Sequence, residues 1–340
     1  MTDTQVDAPR PLPEPLDDSQ TGTPARRPGS VRRTSSIDMV WPDGYGTPLH
    51  LVGRARDLVT TPTGDATVVD AAEIDVTIGD DRRVEAIEVV PERAGIGGLV
   101  GTQGGTYLRT AIDHVLPGER EAGTPLHLLL DDVAGTSLIA GFAWTRHRPL
   151  ELRAERPNEF GVRKGRIICS GLRPGGTAQV AMRDARFDVH AIRSAGQLTD
   201  GRDPLAWHEF PERPQVCMRR HRRIDVIPDG DELVVDAFFR DSSWEPDGSQ
   251  IALHEYTVRA RVDADALTLN DVVATPHVLP FPECQWAPEH VTLLVGRPVL
   301  SFRTVVQTTL SELKACTHLN DMLRCLAEVP GLARAIDATR

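Results

Sequence analysis

Near the C-terminus, Lys314-Ala315-Cys316-Thr317-His318-Leu319-Asn320-Asp321-Met322-Leu323 sets a thiol and an imidazole two residues apart at the start of an amphipathic run. Both groups are ligands for borderline-soft metals. A cysteine at a helix N-terminus also faces unpaired backbone amides and the positive end of the helix dipole, which favour the thiolate. The expectation is a Cys316 more ionised than a free cysteine, beside a His318 able to bind metal. A small buried Cys under the helix, with a capping or surface His, explains the same ten residues.

Other residues extend this constellation. Asp241 and His254 flank the loop Ser242 to Gln250, and His254 opens the alternating run Glu255 to Val262. Cys284 closes Pro276-His277-Val278-Leu279-Pro280-Phe281-Pro282-Glu283-Cys284, where three prolines stiffen the backbone and can hold a ligand rigidly. His254, Cys284, Cys316 and His318 are thus the expected metal ligands, and zinc or iron the ions that suit them. Four protein ligands would close the shell of a structural metal or cluster scaffold, whereas three plus water would make a catalytic site. Asp241, Glu283 and Asp321 are the candidate general bases, and for any one of them an ordinary strand or helix carboxylate is the plainer reading. Cys169, Cys217 and Cys325 are expected to be structural.

The elements that must position these residues repeat. Strand-like runs cover His50 to Val59, Thr67 to Ala71, Glu73 to Ile78 and Val84 to Pro91, separated by Gly- and Pro-containing turns, and helical patterns follow over Leu108–Leu116 and Pro125–Ala143. Arg56 to Ala71 echoes Ile224 to Ala237, Ile74 to Pro91 echoes Tyr256 to Pro276, and Gly123-Thr124-Pro125-Leu126 echoes Cys316-Thr317-His318-Leu319. The pattern predicts an α+β fold: a duplicated unit of antiparallel sheet followed by helices, with a β-rich insert between the copies. Residues 1–38 are expected to be a disordered tail, 39–145 the first copy, 146–220 an Arg-rich insert and linker, and 221–340 the second copy. Within the insert, strands are expected at Arg166–Cys169, Thr177–Met182 and Arg186–Ala191. The set His254, Cys284, Cys316 and His318 belongs to the second copy alone, which marks it as functional or as a structural zinc site that the first copy lost.

Charge and composition narrow the partners. The formal net charge of −11 argues against nucleic acid. Between Arg146 and Arg223, however, 17 Arg and Lys face 9 Asp and Glu, leaving −19 on the remainder. Such a segment can hold a small anionic substrate or the acidic parts of the same chain. No run approaches the roughly 18 apolar residues of a membrane span, and no signal-peptide pattern opens the chain, so a cytoplasmic protein without membrane partners is expected. The five cysteines, odd in number and irregular in spacing, do not form a disulfide framework. A homodimer is left open.

The stretch from His221-Arg222-Arg223 through Arg240-Asp241, His254, Cys284 and Ala-Cys-Thr-His-Leu resembles an uncharacterised bacterial domain family whose hallmark is a Gly/Ala-Cys-Thr-His-Leu box. The match covers roughly His221 to Val329, and the chain from Trp41 onward looks like the same family's longer form. That resemblance carries no established activity. The order His254, Cys284, Cys316-Thr317-His318 is also distantly similar to the U-type iron–sulfur cluster scaffold proteins, which place a ligand at the start of a sheet, a Cys in the next loop and a His-Cys box before a C-terminal helix. Here the first ligand is His, the box residues are not adjacent, and a proline-rich loop replaces the scaffolds' Gly-Cys-Gly, so the resemblance implies a fold and a metal site more than sulfur chemistry. The leading expectation is a metal-dependent enzyme, lyase or hydrolase, acting on a small anionic metabolite. An iron–sulfur or metal carrier, and a binding or regulatory protein with a structural zinc, are the alternatives.

Overall fold

Alternating side chains build two antiparallel meanders. The structure, a computed structural model, describes residues 11–16, 18–147, 167–183, 191–199, 201–212 and 217–339. β1 (Ser30–Val40), β2 (Leu49–Thr60), β3 (Ala66–Ile78) and β4 (Val84–Val90) form the first meander. After the short β5 (Arg193–Ser194), β6 (Met218–Asp229), β7 (Glu232–Trp244), β8 (Gln250–Asp263) and β9 (Leu269–Val278) form the second. β1 and β6 pair antiparallel, so both meanders join in one nine-stranded sheet ordered β4-β3-β2-β1-β6-β7-β8, with β9 and β5 both on β8.

The two halves repeat a charged register as well as a strand order. Arg33 of β1 lies opposite Asp57 of β2 and grips both its carboxylate oxygens at 2.6 Å, while Arg220 of β6 lies opposite Asp241 of β7 and does the same at 2.8 and 3.0 Å. Across the β1–β6 seam, Arg32 binds Asp225 and Arg219 binds Asp38, a reciprocal exchange. β2 therefore corresponds to β7 and β3 to β8. The sequence echo between Ile74–Pro91 and Tyr256–Pro276 fits this register, whereas the one between Arg56–Ala71 and Ile224–Ala237 is displaced by one strand, because most of β1 lies within the expected tail.

Helices cover one face. α1 (Thr106–Val115), α2 (Pro117–Ala122), α3 (Pro125–Ile139) and α4 (Gly141–His147) follow the first meander. α5 (Thr177–Arg183) lies between the halves, and α6 (Phe302–Thr309), α7 (Thr317–Arg324) and α8 (Val329–Asp337) follow the second. Each half has its own apolar core. Leu51, Ile74 and Val76 meet Leu108, Leu129 and Val133 in one, and Val235, Tyr256 and Val258 meet Phe302, Leu323 and Leu332 in the other. At about 1.5–3 kcal/mol for each fully buried large side chain, these contacts fix the helices on the sheet. α3 starts where Pro125 occupies the first turn and the Thr124 hydroxyl accepts from His127 N–H at 3.1 Å. By length and composition Pro125–His147 could cross a membrane, but 67% of its apolar window is buried, as suits a helix lying on β1, β2 and β3.

The opposite face is covered by chain expected to be tail and linker. Ser19 and Gln20 bind Glu255, whose other partner is Arg240, and Arg26 pairs with Asp203. The expected disorder over 1–38 thus gives way to a strand from Ser30 and an ordered segment before it. The reason is that Arg32 and Arg33 bury their charges on Asp225 and Asp57 instead of pointing to solvent. Residues 1–10 lie outside the described residues. Within the expected β-rich insert, Thr177–Arg183 is a helix and not a strand, and Ser170–Leu172 is a single 3-10 turn. Of the strand expected at Arg166–Cys169, residues 167–169 are described and form no strand, while the one expected at Arg186–Ala191 lies outside the described residues except for Ala191.

Candidate metal centre and its surroundings

Three adjacent strands set a row across the helix-facing side of the second meander. Arg220, Asp241 and His254 are direct cross-strand neighbours, close enough for their side chains to interact. The N-terminus of α7 lays His318 on this row, its ring 3.5 Å from that of His254 with an interplanar angle of 16°. Asp241 Oδ2 lies 3.8 Å from His254 Nδ1 and 3.9 Å from His318 Nε2. Among the described residues these are the three His, Cys, Asp or Glu side chains whose ligand atoms all fall within 4.8 Å of one another.

The electrostatics of the row favour a neutral His318. Burial, with Arg220 and Arg222 nearby, pushes the His318 pKa down to about 3, so at neutral pH the ring keeps a lone pair for a ligand or a proton. The side chain of Asp241 is fully buried and its negative charge is balanced by Arg220. Arg220 in turn reaches Asp132 at 3.3 Å and Asp321 at 3.6 Å, and stacks 4.9 Å over the Phe239 ring. A carboxylate held from behind by an arginine is the outer-shell support that orients metal-binding side chains.

The donor set suits a divalent cation: two imidazoles and one carboxylate, with carboxylate lone pairs to spare beyond those Arg220 uses. Bonds of about 2.0–2.2 Å would bring the ligand atoms closer than the 3.8 and 3.9 Å seen here. Each imidazole must also point its lone pair in its own plane, so the stacked rings must turn apart to meet one ion. The fit therefore requires a side-chain rotation of His318 or His254.

The cysteines lie one step further along the same helix start and strand. Tyr256, two residues beyond His254 on the same face of β8, donates its hydroxyl to Cys316 Sγ at 3.3 Å. Cys284 and Cys169 stand close by: a Cβ added at Gly171 would lie 2.6 Å from the Cys284 sulfur and 4.0 Å from that of Cys169. The expectation of an ionised Cys316 is not met. Burial pushes its thiol up, against the opposing pull of the Tyr256 hydroxyl and the Leu319 and His318 amides. Burial likewise pushes Cys169 up to about 12 and Cys284 well up. Desolvation here outweighs the helix terminus.

The expected ligands thus divide into His254 and His318 with Asp241, and Cys284 and Cys316 with Cys169 and Tyr256. Of the expected bases, Asp241 belongs to the first group. Asp321 is bound by Arg109 at 2.7 Å, and although burial alone would raise its pKa, Arg109, Arg220 and Arg324 hold it at about 2, which makes it a poor proton acceptor. Glu283 caps α5, accepting from the Thr177 N–H at 2.7 Å and hydroxyl at 3.0 Å.

The first half has the same framework without the imidazoles. Asp57 faces Asp70 where Asp241 faces His254, and in the sequence echo Pro125, the first residue of α3, stands where His318, the second residue of α7, does. Sequence reading passed over the residues that join the halves. Asp131 receives Arg303 and Arg324, and Glu328 receives Arg33 and Arg303. The adjacent carboxylates Asp131-Asp132 inside an otherwise apolar helix were the visible sign.

Residues 218–331 match the model of a family described as "Protein of unknown function (DUF2889)", so this uncharacterised domain spans most of the second half. Neither a curated protein nor a solved structure matches the chain.

Proposed function

We propose that this protein, with its domain of unknown function at residues 218–331, is a metal-dependent enzyme acting on a small anionic molecule, with a divalent metal held by Asp241, His254 and His318. The observation that carries this reading is the convergence of three ligand atoms from two strands and a helix start, in the half that alone has the imidazoles. Three protein ligands leave coordination positions for water or substrate, which suits hydrolase or lyase chemistry on zinc or iron. Asp241 and the two imidazoles would fix the ion, and Arg220 would fix Asp241. Elemental analysis of the purified protein tests this: about one zinc or iron per chain is expected, lost in His254→Ala and His318→Ala while the circular dichroism spectrum is kept. A wild-type protein that carries no metal and melts at the same temperature with and without added zinc or iron would sink the proposal.

The grouping of Cys169, Cys284 and Cys316 around Tyr256 favours a second reading, a metal or iron–sulfur carrier or a structural zinc on sulfur ligands. A chromophore that bleaches with release of sulfide, and that survives His254→Ala but not Cys284→Ser, would select it over the first.

A further inference from the structure

A cavity of about 140 Å³ opens between the helices of the two halves, away from the His254–His318 pair. Its walls carry four guanidinium groups, Arg109 and Arg120 from the first half and Arg303 and Arg324 from the second, with His127, Asp113 and Asp131 among them. The volume holds several waters or one small polyatomic anion.

The arginines are only partly used by the protein. Asp131 takes Arg303 Nη1 at 2.8 Å and Arg324 at 2.8 and 3.0 Å, and lies 3.4 Å from Arg109. Asp321 takes Arg109 Nη2, Glu328 takes Arg303 Nη2, and Asp113 takes Arg120 Nη1. A guanidinium has five N–H donors in a fixed fork. No described residue hydrogen-bonds Arg303 Nε, although Arg303 is only 5% exposed. The same is true of Nδ1 of His127, 2% exposed, whose nearest acid, Glu328, is 3.6 Å away. On the cavity wall itself, Arg109 Nη1 and Arg120 Nε and Nη2 bond to no described residue, so its guanidinium groups keep donors for a ligand that supplies oxygens.

We infer that this cavity is a binding site for a small dianion, a phosphate-type oxyanion or a short dicarboxylate, which bridges guanidinium groups of both halves. Arg favours planar, bidentate recognition of such groups. His127 adds to the same field: burial opposes its charge, but Asp113 and Glu328, each 3.6 Å from a ring nitrogen, raise its pKa above the ordinary value. The site does not depend on a metal at Asp241, His254 and His318. It adjoins that cluster through Asp321, which binds Arg109 of the cavity wall and lies 3.6 Å from Arg220.

Isothermal titration of the full chain with inorganic phosphate and with malonate, at constant ionic strength set by chloride, tests the inference. Saturable binding of one anion per chain is expected, with a melting temperature that rises with the logarithm of its concentration. Thr304 and Gln307 line the mouth and are exposed, so substitution there leaves the buried network intact. Thr304→Glu or Gln307→Glu should weaken binding by at least about tenfold through like-charge repulsion, whereas Thr304→Gln should keep it. Binding of phosphate alone assigns an oxyanion, and binding of malonate alone a dicarboxylate. If neither anion gives saturable heat, or if both Glu variants bind as tightly as the parent, the inference is overturned.

Discussion

Glu328→Gln is the most direct test of how the halves are held together. Glu328, 2% exposed, accepts from Arg33 of the first half at 2.9 Å and from Arg303 of the second, and its carboxylate lies 3.6 Å from His127. Burial alone would raise its pKa, but Arg303, His127 and Arg33 together lower it from 4.5 to about 2. At about 1.4 kcal/mol per tenfold change in proton affinity, that difference corresponds to roughly 3 kcal/mol of stability. The folded-state value lies below the unfolded one, so the contribution is complete above about pH 5 and is lost as pH falls from about 4.5 through 2. Glutamine keeps the shape and removes the charge. Urea denaturation should therefore show the variant less stable by roughly 3 kcal/mol at pH 7, with the gap closing to less than about 1 kcal/mol near pH 2.5. Equal gaps at both pH values would mean that Glu328 acts through packing, and the electrostatic reasoning would be refuted.

Other outcomes follow from the same geometry. Asp131→Asn leaves Arg303 and Arg324 short of a buried counter-charge and should cost about 3–5 kcal/mol in denaturant titrations; a loss below about 1 kcal/mol would show that Asp321 and Glu328 suffice. Gly171→Ala places a methyl 2.6 Å from the Cys284 sulfur and should destabilise by about 1–3 kcal/mol, with Cys284→Ala restoring most of it; no rescue would place the strain elsewhere. All three clustered thiols are buried with raised pKa values, so a thiol reagent at pH 7 should react with them only after denaturant is added, and rapid labelling of Cys316 in the native protein would contradict that placement. Deleting residues 1–20 removes partners of Arg240 and Glu255 and should lower the melting temperature, whereas an unchanged melt would return that stretch to the status of a tail.

Residue chemistry and repetition determined a good deal by themselves. The α+β class, the strands-then-helices order of each half and the helices over Leu108–Leu116 and Pro125–Ala143 follow from apolar periodicity, which is local. His254 and His318 stood out because their types are rare ligands and the first half has Asp70 and Pro125 in their places. The basic stretch ending at Arg223 was legible as a partner for the chain's own acids, and Arg219, Arg220, Arg222 and Arg223 do bind Asp38, Asp241, Asp132 and Asp236. Only the tertiary structure decided the rest. β1 was hidden because a strand reading Arg32-Arg33-Thr34-Ser35-Ser36 lacks apolar alternation, and its charges are buried by Asp57 of the next strand together with acids as far away as Glu328 and Asp225. Cross-strand register made Asp241 the third member of the histidine cluster, and burial, outweighing the Tyr256 hydroxyl and the helix-start amides, turned Cys316 from an expected thiolate into a protonated thiol. Local pattern records which side chains want to leave water; which opposite charges meet there is settled by contacts across the sheet, and those depend on the whole fold.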